Sequence, residues 1–593
     1  MRFEWAPVSG ASFYSVSKNG AYATTTETAH DIIIPDFSDY TFEVATVSAG
    51  GETSATSTKT ISVASIPIAI NEVAWMGTLA SVTDEWFELK NNTAYTIDLN
   101  QWVVEAEDGT PRVKLSGVIA PREYLVFERT DDGTIADIVA HAVYTGALGN
   151  TGEHLTLSYA STTLDQTPRG AWSAGYNSTT TKQTMERYAS KEPGVDPANW
   201  GTNLAFISSG TDAIGNPTDG TPGARNSVSY LINKGQDITS DLTLTVGEGA
   251  YVLFRETTIP ASTTLTLEPG VTVLFRGYGY GGYYEGSFFI QGGTIDARGT
   301  AENPVVFSTV FSEQAGDFWF QDSTGTSTFD HVLFDNIGDI GVDNARVEIR
   351  NADFMHTDGG VNLYNGATAI VENSRFTDLT NDGFGAYDAS TLTIASTTIN
   401  GVRGDVLGAY ERSTVAITNV TIRDVSDGDG IGAYGGSRMT IASTTIDGVL
   451  DGDGVGLYSG SVLAMSGSTI DGVYDGDGLG VYESTLTIAS STIKNISDNG
   501  IVLYDATSTI SHTVVENIGE NGIDIYGGVT SITDTTVTGA TKGVGILISA
   551  PWEPVVVTGG EVADNSVGVS MDVGSVVLTD VSVHDNGEDI MVQ

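Results

Sequence analysis

Gly430-Ile431-Gly432-Ala433-Tyr434, Gly454-Val455-Gly456-Leu457-Tyr458 and Gly478-Leu479-Gly480-Val481-Tyr482 are one phrase written three times, 24 residues apart. Outward from there the closing tyrosine recurs at Tyr364, Tyr387, Tyr410, Tyr504 and Tyr526, so that the eight are separated by 23, 23, 24, 24, 24, 22 and 22 residues. A second apolar run follows each phrase, as in Met439-Thr440-Ile441-Ala442, and then a third, as in Thr445-Ile446-Asp447-Gly448-Val449. Three short strands in every 21–24 residues mark a solenoid. No coil can bury its own apolar side, so coils stack and share a core. The register that follows sets Ile431 on Val455 on Leu479, and Ile446 on Ile470 on Ile493, at ~4.8 Å per step. Self-similarity extends over residues 227–593, which is room for about fifteen coils and ~70 Å of stacked strands.

The rest of the composition agrees with an all-β chain. At 593 residues it is too long for one core and predicts several domains. Short alternating runs such as Val271-Thr272-Val273-Leu274-Phe275, separated by Gly, Asp and Asn, take the place of long amphipathic helical patterns. With 26 basic against 75 acidic residues the net charge is −49. Such a surface repels phosphate and anionic lipid, which excludes nucleic acid as a partner. No apolar run reaches the ~18 residues of a membrane span, so no membrane insertion is expected of this chain. The sequence has no Cys, which removes disulfides, thiol catalysis and thiolate metal sites. Met1-Arg2-Phe3-Glu4-Trp5 opens in strand-like sequence with no signal peptide, so the chain is expected to be a section of something longer.

Two segments precede the repeat. In residues 1–64, Trp5-Ala6-Pro7-Val8, Tyr14-Ser15-Val16, the turn Asn19-Gly20 and Tyr40-Thr41-Phe42-Glu43-Val44 follow an order that resembles a fibronectin type III domain lacking its first strand. Residues 66–226 carry Ile70-Asn71-Glu72-Val73-Ala74-Trp75, Glu85-Trp86-Phe87-Glu88-Leu89, Leu99-Asn100-Gln101-Trp102, Tyr124-Leu125-Val126-Phe127, His154-Leu155-Thr156-Leu157 and Gly220-Thr221-Pro222-Gly223. This series resembles a bacterial lamin-tail domain, an immunoglobulin-like β-sandwich. The resemblance implies a spacer or binding module and brings no catalytic residues. Glu72, Asp84, Glu85 and Glu88 are expected to be solvated, outward strand positions and not a cation site. In the repeat region, Leu265-Thr266-Leu267-Glu268-Pro269-Gly270 and Asn303-Pro304-Val305-Val306-Phe307 resemble the first coils of exported bacterial right-handed parallel β-helix proteins. The expected fold is therefore two N-terminal β-sandwiches, 1–64 and 66–226, followed by a right-handed parallel β-helix over 227–593.

Chemistry has two candidate places on the helix. Alternation points Gly432 and Tyr434 outward, which makes Tyr410, Tyr434, Tyr458 and Tyr482 a stripe of rings beside a glycine column, a surface on which sugar rings could lie. The competing account is that like residues stack on a solenoid for stability. The turns Asp427-Gly428-Asp429-Gly430, Asp451-Gly452-Asp453-Gly454 and Asp475-Gly476-Asp477-Gly478 bring like charges to ~5 Å spacing. Backbone N–H groups or a bound Ca²⁺ must offset that repulsion, and the six aspartates are the candidate Ca²⁺ ligands.

Nothing in the repeat supplies the unequal pair of carboxylates a glycoside hydrolase needs, and few basic residues are present to serve as a lyase base. The sequence therefore favours a non-catalytic extracellular or bacterial cell-surface protein that binds polysaccharide or another surface component. The alternative is a β-helix polysaccharide lyase or glycoside hydrolase. A column of Thr398, Thr421, Thr445, Thr469 and Thr492 is flanked by Asn400, Arg423, Asp447, Asp471 and Lys494, too charged and irregular for an ice-binding face.

Overall fold

Alternation along each short run decides which way its side chains point, and stacking decides what they meet. The computed structural model describes residues 2–31, 40–61, 66–247, 249–278, 284–310, 314 and 316–592. It divides into two units, Met1–Lys234 and Gly235–Gln593.

The second unit is a parallel β-helix. Three parallel sheets of fifteen strands each run its length, from Leu242–Leu244 to Val576–Thr579, from Tyr251–Leu253 to Ser582–His584, and from Thr257–Pro260 to Glu588–Val592. The register is the one read from the sequence: Ile431 pairs with Val455 and Val455 with Leu479, while Ile446 pairs with Ile470 and Ile470 with Ile493. The inward columns change character along the axis. Phe307, Phe334, Phe354 and Phe376 stack with centroids 5.4, 4.4 and 4.2 Å apart, and aliphatic Ile399, Ile422, Ile446 and Ile470 continue their column.

Between the first and second sheets the chain turns through a left-handed residue in many coils, among them Asn373, Ser396, Asn419, Ser443 and Ser490, with φ of 50–56°. Asn tolerates that region best among residues with a Cβ. Next to this corner lies a buried hydroxyl ladder, in which Thr444 N–H donates to Ser468 Oγ (3.1 Å) and Ser468 N–H to Ser491 Oγ (3.3 Å). The ladder satisfies backbone groups that the turn leaves out of the sheets.

The solenoid starts later than residue 227. Ser227–Tyr230 is a turn of 3-10 helix in the first unit, where Ser227 Oγ and Val228 N–H donate to Glu186 Oε2 at 2.5 and 3.0 Å.

Within the first unit, residues 2–61 form a four-stranded antiparallel sheet and a two-stranded one, with Tyr14, Val16, Phe42, Ala45 and Val47 buried. Over 66–226 a six-stranded sheet runs in the order Ala142–Tyr144, Tyr124–Arg129, Trp86–Asn91, Ile68–Ala74, Met185–Arg187, Trp200–Thr202, beside a four-stranded sheet containing Trp102–Ala106 and Leu155–Tyr159. Ile70, Val73, Trp86, Phe87, Trp102, Phe127 and Leu157 share one core.

The expectation that Glu72, Glu85 and Glu88 are solvated is wrong. They are 0, 2 and 0 % exposed, and Glu186 joins them at 0 %. Glu88, Glu72 and Glu186 lie side by side across three adjacent strands. A sequence-distant, irregular segment covers them. Thr221 N–H donates to Glu72 Oε1 (2.9 Å), Gly223 N–H to Glu88 Oε2 (2.6 Å) and Ser227 Oγ to Glu186 Oε2 (2.5 Å). Local alternation carries no sign of such a cover. Burial is the first cause that pushes all three carboxyls up, with Glu88 reaching about 8.

Candidate active site

The turn before the third sheet holds an aspartate in most coils, and the way those carboxylates are satisfied defines the site. From Asp382 onward they form a ladder. Asp405 N–H donates to Asp382 Oδ1 (3.0 Å), Asp429 N–H to Asp405 Oδ1 (2.8 Å), Asp453 N–H to Asp429 Oδ1 (2.9 Å) and Asp477 N–H to Asp453 Oδ1 (2.9 Å). The second oxygen accepts from tyrosine, Tyr434 Oη to Asp429 Oδ2 and Tyr458 Oη to Asp453 Oδ2, both 3.2 Å. Backbone and phenol donors therefore reach the inner column directly. Burial raises Asp453 to about 6 and lifts Asp429 and Asp477 in the same direction. The outer aspartates Asp427, Asp451 and Asp475 are exposed. Among the described residues no group of three or more His, Asp or Glu is gathered as a metal would require.

The tyrosines stand in the single column that their spacing implies. Tyr364 through Tyr482 stack with centroids 4.7–5.2 Å apart and planes within 6° of parallel. The glycine column beside them is not bare, however. Each ring folds back over its own strand, so a methyl at Gly408 or Gly432 would sit 2.4 or 2.6 Å from Tyr410 or Tyr434 Cε2. The faces of Tyr410, Tyr434, Tyr458 and Tyr482 are thus occupied by one another, and edges and hydroxyls are what remain. Tyr458→Ala is expected to cost about 2 kcal/mol, since a half-buried ring loses two stacking partners. Tyr458→Phe keeps the stack, loses the bond to Asp453 and should cost about 1 kcal/mol. Thermal unfolding of the full chain checks both, and an alanine variant no weaker than the phenylalanine one would deny the stack a structural role.

The stack begins, and the ladder breaks, at the same place. Along the outward column of the third sheet, Thr258, Phe289, Trp319, Gly341 and Asn362 precede Gly385. Trp319 lies over Gly341, where a methyl would be 2.3 Å from Cε3, and its ring centroid is 5.7 Å from that of Tyr364. Asp339 N–H donates to Asp317 Oδ1 at 3.2 Å, but the next step is missing, because Gly360 N–H donates to Gly383 O (2.8 Å). Among the described residues, Asp339 Oδ1 is consequently buried and receives no hydrogen bond. Its other oxygen has Asn362 Nδ2 as a donor, at 3.5 Å.

Around this break lies an open groove of about 760 Å³, lined by Glu256, Asp317, Asp339 and Asp358 and by Phe289, Trp319, Asn362 and Tyr364. None of its described lining residues is basic. Burial first, then Asp358, Asp317 and Asp382, raise the Asp339 carboxyl to about 6, and burial raises Asp317 as well. Asp358 accepts from Thr380 Oγ1 (3.0 Å) and Asn381 Nδ2 (2.8 Å). Protonated, Asp339 can donate; beside it stand further carboxylates that can accept. That is the inequality absent from the Asp-Gly-Asp-Gly turns.

Sequence reasoning missed these residues because it followed the regular part of the repeat. The available signal was irregularity, an aromatic pair at Phe289 and Trp319 in the column that holds glycine at 385, 408, 432, 456 and 480.

Residues 405–551 match the family described as "Right handed beta helix region". No curated protein matches the chain. Among solved structures the periplasmic alginate epimerase AlgG is similar at 15 % identity, covering 58 % of this chain and 84 % of that one, with a TM-score of 0.34. The catalytic unit of a GH87 alpha-1,3-glucanase from Streptomyces thermodiastaticus is similar at 12 % identity over 98 % of this chain and 97 % of that one, TM-score 0.35. Bacteriophage CBA120 tailspike protein 3 is similar at 13 % identity over 60 and 56 %, TM-score 0.24. Likeness at this level transfers no chemistry.

Proposed function

We propose that the solenoid is a glycoside hydrolase whose groove over Phe289, Trp319 and Tyr364 holds the polymer and whose proton donor is Asp339. One observation carries this reading: among the described residues of a groove with aromatic walls, Asp339 alone has a buried oxygen without a donor, and its carboxyl, raised to about 6, keeps a share of its protons near neutrality. In the reaction the Asp339 proton goes to the glycosidic oxygen as the C–O bond breaks. A water adds to the anomeric carbon, and its proton passes to a second carboxylate, for which Asp358 is the residue at hand. Phe289 and Trp319 supply ring surface for sugar faces.

Hydrolysis is favoured over elimination because a lyase base of the Lys or Arg type has no counterpart among the described lining residues. This takes up the carbohydrate-active alternative in place of the non-catalytic one.

The test is incubation of the full chain with neutral, amino-sugar and uronate polysaccharides while following new reducing ends and the ultraviolet absorbance of unsaturated products. Reducing ends without unsaturation are expected. Unsaturated products would mean elimination, and no turnover on any polymer would return the solenoid to the non-catalytic reading.

A further inference from the structure

The groove has an unbalanced charge. Glu256, Asp317, Asp339 and Asp358 line it, Asp382 stands close enough to act on Asp339, and no described lining residue is a cation. The chain as a whole is acidic too, at −49. A uronate polymer would bring one more carboxylate per sugar into that field and be repelled. An uncharged hexose could donate hydroxyl hydrogen bonds but would strip water from several carboxylates without neutralising any.

A sugar bearing an ammonium group does both. Its N–H groups can donate to the carboxylates of Glu256, Asp317 and Asp358 along the groove, and its charge relieves the repulsion among them. The same cation is welcomed by the part-exposed rings of Phe289 and Trp319 in the groove wall.

We infer that the polymer taken by this groove carries free ammonium groups, as a hexosamine chain without N-acetyl groups does. This rests on the groove being the glycan site proposed above.

The experiment is calorimetric titration of the full chain with four hexasaccharides, of glucosamine, N-acetylglucosamine, glucose and galacturonate, at low and at high salt. The glucosamine oligomer is expected to bind at least tenfold tighter than its N-acetylated counterpart or the glucose oligomer, with a preference that shrinks as salt rises, and the galacturonate oligomer not to bind. Glu256→Gln should cut the preference for the glucosamine oligomer over the glucose oligomer about fivefold. If the N-acetylated, glucose or galacturonate oligomer binds as tightly as the amine, the inference falls and the groove remains a glycan site. If none of the four binds, the groove is not a glycan site and both readings fall together.

Discussion

Asp339→Asn is expected to lower kcat/KM for glycan hydrolysis by about 10²–10⁴-fold, the range that loss of a positioned proton donor costs. Asparagine keeps the shape and the contact with Asn362 but has no acidic proton to give. The loss should fall on kcat and leave binding nearly unchanged, because Phe289, Trp319 and Tyr364 are untouched. The pH profile gives an independent reading. With the Asp339 carboxyl near 6, activity should decline as pH rises through that value, and substrates with activated leaving groups should be spared in the variant. A variant that retains wild-type turnover on unactivated glycan would remove Asp339 from the chemistry.

The second large effect concerns the buried carboxyl row of the first unit. Thr221 Oγ1 lies 3.0 Å from Glu72 Oε2 and 3.0 Å from Glu186 Oε1, yet it has one proton to give. At least one of the two carboxyls must therefore be protonated in the folded state. A carboxyl whose folded pKa is raised contributes stability that is complete below the unfolded value of ~4.5 and is lost as pH rises toward the folded one. For Glu88, at about 8, the window is pH 4.5–8, and burial raises Glu72, Glu186 and Glu128, the last to about 7, in the same direction. Glu88 alone should make the first unit about 3 kcal/mol less stable at pH 8 than at pH 5, and the other three add to that loss.

Glu72→Gln separates this cause from others. Its amide can donate to Thr221 Oγ1, freeing that hydroxyl for Glu186, while its carbonyl still accepts from Thr184 and the Thr221 N–H. The variant should match wild type at pH 5 and exceed it at pH 8. Denaturant unfolding at both pH values measures it, and equal pH slopes for variant and wild type would contradict the protonated row.

The solenoid was legible because its information is periodic. Eight tyrosines at nearly constant spacing fixed the register, and that register holds from Ile431–Val455 to Ile470–Ile493. What periodicity could not carry was closure and interruption. Glu72 and Glu88 read as solvated strand positions because the segment containing Thr221, Gly223 and Ser227 that covers them lies some 130–150 residues on. The tyrosine column read as an open surface because alternation gives the direction of a side chain and not its fold back over Gly408 and Gly432. The groove lay in the irregular coils around Gly359-Gly360, where the ladder of aspartates skips a step and leaves Asp339 unsatisfied.

The most direct test is a crystal structure of the Asp339→Asn protein with a bound oligosaccharide. Sugar density is expected in the groove, with one ring against Phe289 or Trp319 and a glycosidic oxygen within hydrogen-bond reach of residue 339. Sugar lying instead along Tyr410, Tyr434, Tyr458 and Tyr482, with the groove empty, would contradict the account.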